Sequence, residues 1–272
     1  MNILNAIILG IIQGLTEFLP ISSSGHLVLY QYFFGDAASN AADISLEIFL
    51  HLGSLFAVII YFRRELLDLV NSLFHWKKTF DANKHFRNRM VIVYLIISTI
   101  FTGIVYLLFG KEIVSVFAKP LTVSILLIIT GVIIFLSDLV KTTDIPMSGM
   151  GLIRSALIGL GQGFAMLPGI SRSGTTIATS LFCGIKRKDA AKYSFLLSIP
   201  AILAANLGEF KSFTELQSGL LLQYIFGALA AFVSGYLVIS LLIRLIQSAK
   251  LKYFAFYCWF IAAVSIILII LA

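Results

Sequence analysis

Charge is what this chain has least of. Only 12% of its 272 residues are Asp, Glu, Lys or Arg, and 59% are hydrophobic, where a soluble domain carries about a quarter charged and about half apolar. That scarcity excludes a water-soluble globule. Cysteine is nearly absent too. Cys183 and Cys258 both sit in apolar runs, which excludes a disulfide framework and reads as two small core residues rather than a metal pair. No Lys or Arg occurs before Arg63. The start, MNILNAIILG, therefore lacks a positive n-region, and no cleavable signal is expected. A net charge of +7 would suggest nucleic acid in a soluble protein. At a mean hydropathy of +0.99 it is the basic excess of cytoplasmic loops, and no nucleic-acid partner is expected.

What the chain does have is apolar sequence in lengths of about 20 residues, enough to cross a bilayer. Spans are expected at 44–62, 90–110, 120–140, 192–208, 220–245 and 252–272. The stretches 1–30 and 151–184 are apolar but interrupted by Pro and by clusters of Ser and Gly. A helix through Pro20, Ser22, Ser23, Ser24 and Gly25 loses backbone hydrogen bonds at mid-membrane, which is tolerable only where the break is buried in protein or lines a wet cavity. Both stretches therefore read as re-entrant hairpins of two half-helices. The breaks are also copies of one another. A shift of 149 lays QGLTEFLPISSSGH at 13–26 over QGFAMLPGISRSGT at 162–175 without a gap, matching Gln13 to Gln162, Gly14 to Gly163 and Ser22 to Ser171.

Basic residues set the expected orientation. The segment 63–89 carries Arg63, Arg64, Lys77, Lys78, Lys84, Arg87 and Arg89 and should be cytoplasmic. Following the spans, sixteen of the 20 Lys and Arg fall on the inside, three outside, and Arg172 alone within the membrane. The expected fold is an all-α integral membrane protein, one membrane domain made of two repeats, 1–140 and 151–272. Each repeat is a re-entrant hairpin plus three transmembrane helices, giving six full spans and four half-helices. An odd number of crossings in the first repeat inverts the second, puts both termini outside, and brings the two hairpin tips together near the midplane.

The two tips carry different chemistry. The first has Gln13 and Glu17, spaced i, i+4 on one helix face, then the serines and His26. A carboxylate and an imidazole at membrane depth are functional candidates by default. The second has Ser171, Arg172, Ser173, Gly174, Thr175 and Thr176 at the start of a half-helix, where a guanidinium, hydroxyls and free amides favour an anion such as phosphate. Each has a plainer reading. Thr175 and Thr176 fit helix glue, the three serines a turn, Arg172 a snorkelling anchor, and His51 a hydrogen-bonded core residue. Glu47 fits a cap as well as a site, and His75 and His85 read as loop residues.

QGLTEFLPISSSGH together with LPGISRSGTT resembles the signatures of the undecaprenyl-pyrophosphate phosphatases of the bacterial bacitracin-resistance type, and the likeness runs over essentially the whole chain. The family pattern is an acidic or Gln residue four before a Glu, then Ser-Ser-x-Gly-His, and separately Pro-Gly-x-Ser-Arg-Ser-x-x-Thr. Many members have Glu at the position of Gln13. The resemblance implies a hydrolase of undecaprenyl diphosphate that regenerates the monophosphate carrier for peptidoglycan synthesis and confers bacitracin resistance. It implies a bacterial cell (inner) membrane location, a site open to the extracytoplasmic side, and a divalent cation, Mg²⁺ or Ca²⁺. It further implies Ser23 as nucleophile with His26 as its base or as proton donor, histidine being the competing nucleophile. Glu17 is then a catalytic and metal-holding residue with Gln13 nearby, and Arg172, Ser171, Ser173, Thr176 and Ser22 bind the diphosphate. A homodimer is allowed and not specified. The alternative is a transporter, a flippase of undecaprenyl phosphate or a small-anion carrier, supported by the repeat and opposed half-helices. The broader lipid phosphatases of the vanadium-haloperoxidase type need a second histidine followed by Asp, which is not found.

Overall fold

Hydrocarbon offers backbone groups no water, so a chain this apolar satisfies them within helices. The structure, a computed structural model, describes residues 2–34, 44–74, 82–208, 218–248 and 250–271. Its helices are α1 (Ile3–Phe18), α2 (Ser23–Phe34), α3 (Ile44–Tyr61), α4 (Arg63–Phe74), α5 (Ala82–Val116), α6 (Pro120–Asp138), α7 (Gly151–Phe164), α8 (Arg172–Phe182), α9 (Arg187–Gly208), α10 (Leu221–Gln247) and α11 (Lys252–Leu271). Among the described residues the only β pairing is a single bridge between Ile145 and Ile185. It ties the entry of the second hairpin to its exit, with Arg154 Nε donating to the Cys183 carbonyl at 3.1 Å beside it. His75, Lys77 and Lys78, expected in loops, lie outside the described residues.

Among the described residues five helices are long and apolar enough to cross a membrane: α5, α6, α9, α10 and α11. A sixth crossing arises if α3 and α4 count as one broken span, bent by 73°. The protein is thus an all-α, multi-pass membrane protein. Two features differ from the expected spans. The span expected at 90–110 lies inside a helix of 35 residues, roughly 52 Å at 1.5 Å per residue, so its ends, including Lys84, Arg87 and Arg89, extend beyond a hydrocarbon layer of about 30 Å. The basic segment after Phe62 is itself helical. In α4, Leu69 and Ser72 are buried, and α4 packs on the start of α5 through Lys84–Asp68 at 3.1 Å and Asn88 Nδ2 to Ser72 Oγ at 3.0 Å.

The hairpins are held by helices from the other half of the chain. α1 packs chiefly on α10 and α7 on α5, while α6 packs on α11. At repeat-equivalent positions Gly14 and Gly163 let these pairs close up. A Cβ on Gly14 would collide with Ser234 Oγ and the Ala231 carbonyl, and one on Gly163 with Val105. Small residues at four-residue spacing are what membrane helices use to bring backbones together. Below the tips lies the core. Phe18 meets Phe195 edge-on at 5.7 Å and Phe195 contacts Phe62 at 5.8 Å, so α9 braces the turn that carries Glu17.

Candidate active site

The first tip is an abrupt reversal. α1 ends at Phe18, and the chain turns through Leu19–Ser22 before α2 begins at Ser23. Ser22 has φ +71°, a left-handed conformation that costs a non-glycine residue about 1–2 kcal/mol. Its hydroxyl explains why serine is there. Oγ accepts from the Gly25 amide of its own helix at 3.3 Å and from the Gly169 amide of the second tip at 3.2 Å, and it donates to the Ile170 carbonyl at 3.4 Å. Gly25 lies against Gly169 so closely that a Cβ would sit 3.0 Å from the Gly169 Cα. The tips therefore touch. The second tip is held by Thr130 of α6, which donates to the Gly169 carbonyl at 2.7 Å and accepts from the Ser171 amide at 3.0 Å. Ser171 caps α8, its Oγ accepting from the Gly174 amide at 3.0 Å.

Glu17 is where the two halves meet chemically. Arg172, the first residue of α8, donates from Nη2 to Glu17 Oε1 in an ion pair. Ser23 donates to Oε2 at 2.6 Å, and Gln13 Nε2 donates to the same oxygen at 3.0 Å. The pair is largely shielded, with the arginine side chain 16% and the glutamate side chain 6% exposed. Charge-assisted bonds in such surroundings are short and strong, and removing either partner strands a charge.

The remaining expected residues fall around this centre rather than in it. His26, one turn beyond Ser23, is not bonded to it. Its Nδ1 lies 2.7 Å from the Ser22 carbonyl, which can only accept, so the ring proton sits on Nδ1. Its Nε2 faces the Tyr257 hydroxyl at 2.9 Å. Ser23 and His26, which the resemblance pairs as nucleophile and base or proton donor, are not hydrogen-bonded to one another, and Glu17 is the partner of Ser23. Ser173 donates to the Leu19 carbonyl at 3.0 Å and lies 3.2 Å from Ser171 Oγ, joining the second tip to the end of α1. Thr176 turns inward, fully buried, to the Arg172 carbonyl at 2.9 Å and to Ser194 Oγ of α9 at 2.6 Å. Ser22 links the tips. His51 engages the Glu47 carbonyl at 2.8 Å through Nδ1. Gln13, Glu17, Ser23 and Arg172 are brought together. Thr130, Ser194 and Tyr257 were missed, since a single hydroxyl in an apolar helix carries no spacing signal.

The bacitracin resistance protein BacA family model matches residues 6–264. The chain belongs to the BacA family. Three curated relatives, each named undecaprenyl-diphosphatase, agree over nearly their full length. The Methanobrevibacter smithii protein is 42% identical over 97% of this chain and 96% of its own. That of Treponema denticola is 41% identical over 94% of both, and that of Halothermothrix orenii 40% over 98% of both.

A divalent cation would find a restricted set of donors in this BacA-family chain. Among the described residues no three His, Cys, Asp or Glu side chains gather, so these residues build no carboxylate cage. Glu17 supplies a carboxylate. Beside it Gln13 Oε1 is buried without a hydrogen-bond partner, and Ser23 Oγ is a third oxygen. Mg²⁺ is commonly held by one or two carboxylates with substrate phosphates and water completing the shell. The residues fit a cation shared with an anionic substrate.

Proposed function

We propose that this chain hydrolyses undecaprenyl diphosphate to undecaprenyl phosphate and inorganic phosphate, in the bacterial cell membrane, from a site open to the extracytoplasmic side. The observation that carries this reading is the meeting of Glu17, Ser23 and Arg172 from two different hairpins in one shielded cluster. The names of the BacA-family relatives agree with it. A lipid substrate also accounts for a polar site at membrane depth, because the prenyl tail stays in hydrocarbon and only the diphosphate has to reach the tips. The product is the monophosphate carrier, and removing the diphosphate deprives bacitracin of its target. An inverted orientation of the two halves belongs to the same reading, supported by the matched pairs α1 on α10 and α7 on α5.

Phosphoryl transfer asks a protein for an in-line nucleophile and for neutralisation of the equatorial oxygens. Arg172 moves from Glu17 to the terminal phosphoryl group, aided by the start of α8. Ser23 Oγ attacks phosphorus, its proton passes to Glu17 Oε2, and the bond to the bridging oxygen breaks, releasing undecaprenyl phosphate. His26, neutral with its lone pair on Nε2, takes a proton from the water that opens the phosphoserine; Glu17 returns the serine proton. A divalent cation held by Glu17 and Gln13 would add neutralisation of phosphoryl charge.

Phosphate release from undecaprenyl or farnesyl diphosphate by the purified protein, with and without chelator, tests this reading. Release should require the cation and fall by about a hundredfold or more in Arg172→Ala and in Glu17→Ala. Well-folded protein that releases nothing, yet moves undecaprenyl phosphate across liposomes, would replace the hydrolase by a flippase.

A further inference from the structure

His26 owes its orientation to a residue outside both hairpin motifs. Tyr257 comes from α11, 231 positions along the chain, and its hydroxyl meets Nε2 at 2.9 Å. The two rings lie almost parallel, 6° apart with centroids at 5.6 Å. The next residue anchors this contact: Cys258 is buried against the first tip, its Sγ 3.9 Å from the Pro20 carbonyl. α11 is thereby registered on the turn that carries Ser22 and Ser23. A tyrosine in an apolar helix needs a partner for its hydroxyl. Here the partner is the one ring nitrogen left with a lone pair once Nδ1–H is committed to the Ser22 carbonyl.

We propose that Tyr257 is a positioning residue for His26, an inference that rests on the hydrolase reading above. The Ser22 carbonyl fixes the tautomer. Tyr257 fixes the ring's rotation and holds Nε2 as an acceptor until water arrives. When His26 takes the proton of that water, the tyrosine hydroxyl turns and accepts the new Nε2–H. Hydroxide goes to the phosphoserine, and Tyr257 itself neither gains nor loses a proton. The ring stack and the hydroxyl bond are separable, because phenylalanine keeps the first and lacks the second.

The test is Tyr257→Phe in the full chain. Wild-type phosphate release is measured first. If the wild type releases none, the hydrolase reading fails, whatever the variant does. In an active enzyme the variant should lose about tenfold in kcat, with KM within about twofold and an unchanged thermal midpoint. Unchanged kcat overturns the proposal; so does a rise in KM alone, which would make Tyr257 a lipid contact, and so does a variant that does not fold. A second readout does not depend on activity. The chain has four histidines, and in nitrogen-15 spectra of the labelled ring the His26 Nε2 resonance, assigned with His26→Gln, should move in Tyr257→Phe while the other three stay. An unmoved His26 resonance overturns the proposal.

Discussion

At the scale of single residues, Glu17 carries three donors on two oxygens, and its loss is felt in stability as well as in activity. Glu17→Gln keeps the shape but strands the Arg172 guanidinium in a shielded site, which should cost about 3–5 kcal/mol of stability. The double variant Glu17→Gln/Arg172→Met should recover part of it, as the coupling in a thermal-unfolding cycle in detergent will show. Strictly additive losses would mean that the two residues do not hold one another. Thr176 separates the two readings that its sequence left open. Its hydroxyl is spent on Ser194 and the Arg172 carbonyl, so Thr176→Val should lower stability by about 1–3 kcal/mol, the cost of leaving a buried hydroxyl without its partner. Its KM for the diphosphate should stay within about twofold. A large rise in KM with unchanged stability would return Thr176 to the phosphate clamp. Nothing in SRSGTT tells which hydroxyl faces an anion and which faces α9. Residue type and spacing are the same for both, and only the rotation of α8 against its neighbours decides.

At the scale of elements, the hairpins were legible because their polar, proline-bearing breaks have no place in a lipid-facing helix. Their internal wiring was not. Ser22 reads as one of three serines, yet it alone adopts the left-handed turn and receives the amides of both tips. Ser22→Gly relieves the backbone by about 1–2 kcal/mol but leaves the Gly169 and Gly25 amides without their acceptor, at about 1–3 kcal/mol each. The variant should therefore be less stable than the wild type, and phosphate release should drop although Ser22 touches neither Glu17 nor Arg172 in the structure. A more stable, fully active variant would show that backbone strain outweighs the link. Other elements escaped hydropathy altogether. α4 is too polar for a span and was read as part of a basic loop, although Leu69 and Ser72 are buried and its Asp68 and Glu65 pair with Lys84 of α5 and Lys192 of α9. Tyr257 sits in the most apolar helix, where an aromatic ring looks like any lipid-facing side chain until its partner is seen.

At the scale of the molecule, class and repeat are legible from two features of the chain, the shortage of charge and the motif copied 149 positions on. How the copies interlock is not, because periodicity says which face of a helix is apolar and not which helix covers it. The structure answers with an exchange: α1 of the first half lies on α10 of the second, α7 of the second on α5 of the first, and α6 on α11. α1 and α7, the first half-helix of each hairpin, close their small-residue faces against the other half, so the two halves share one core. The exchange predicts how the chain behaves when divided. Cut after Thr142, in the exposed connection before the Ile145 bridge, the two pieces expressed separately should be degraded by added protease and release no phosphate. Expressed together in one membrane they should reassemble, since the connection carries none of the exchanged contacts, and recover a substantial share of activity. One piece that resists protease alone would mean that its helices bury their own faces, and the exchange would then be a docking of two finished halves rather than the condition for either to fold.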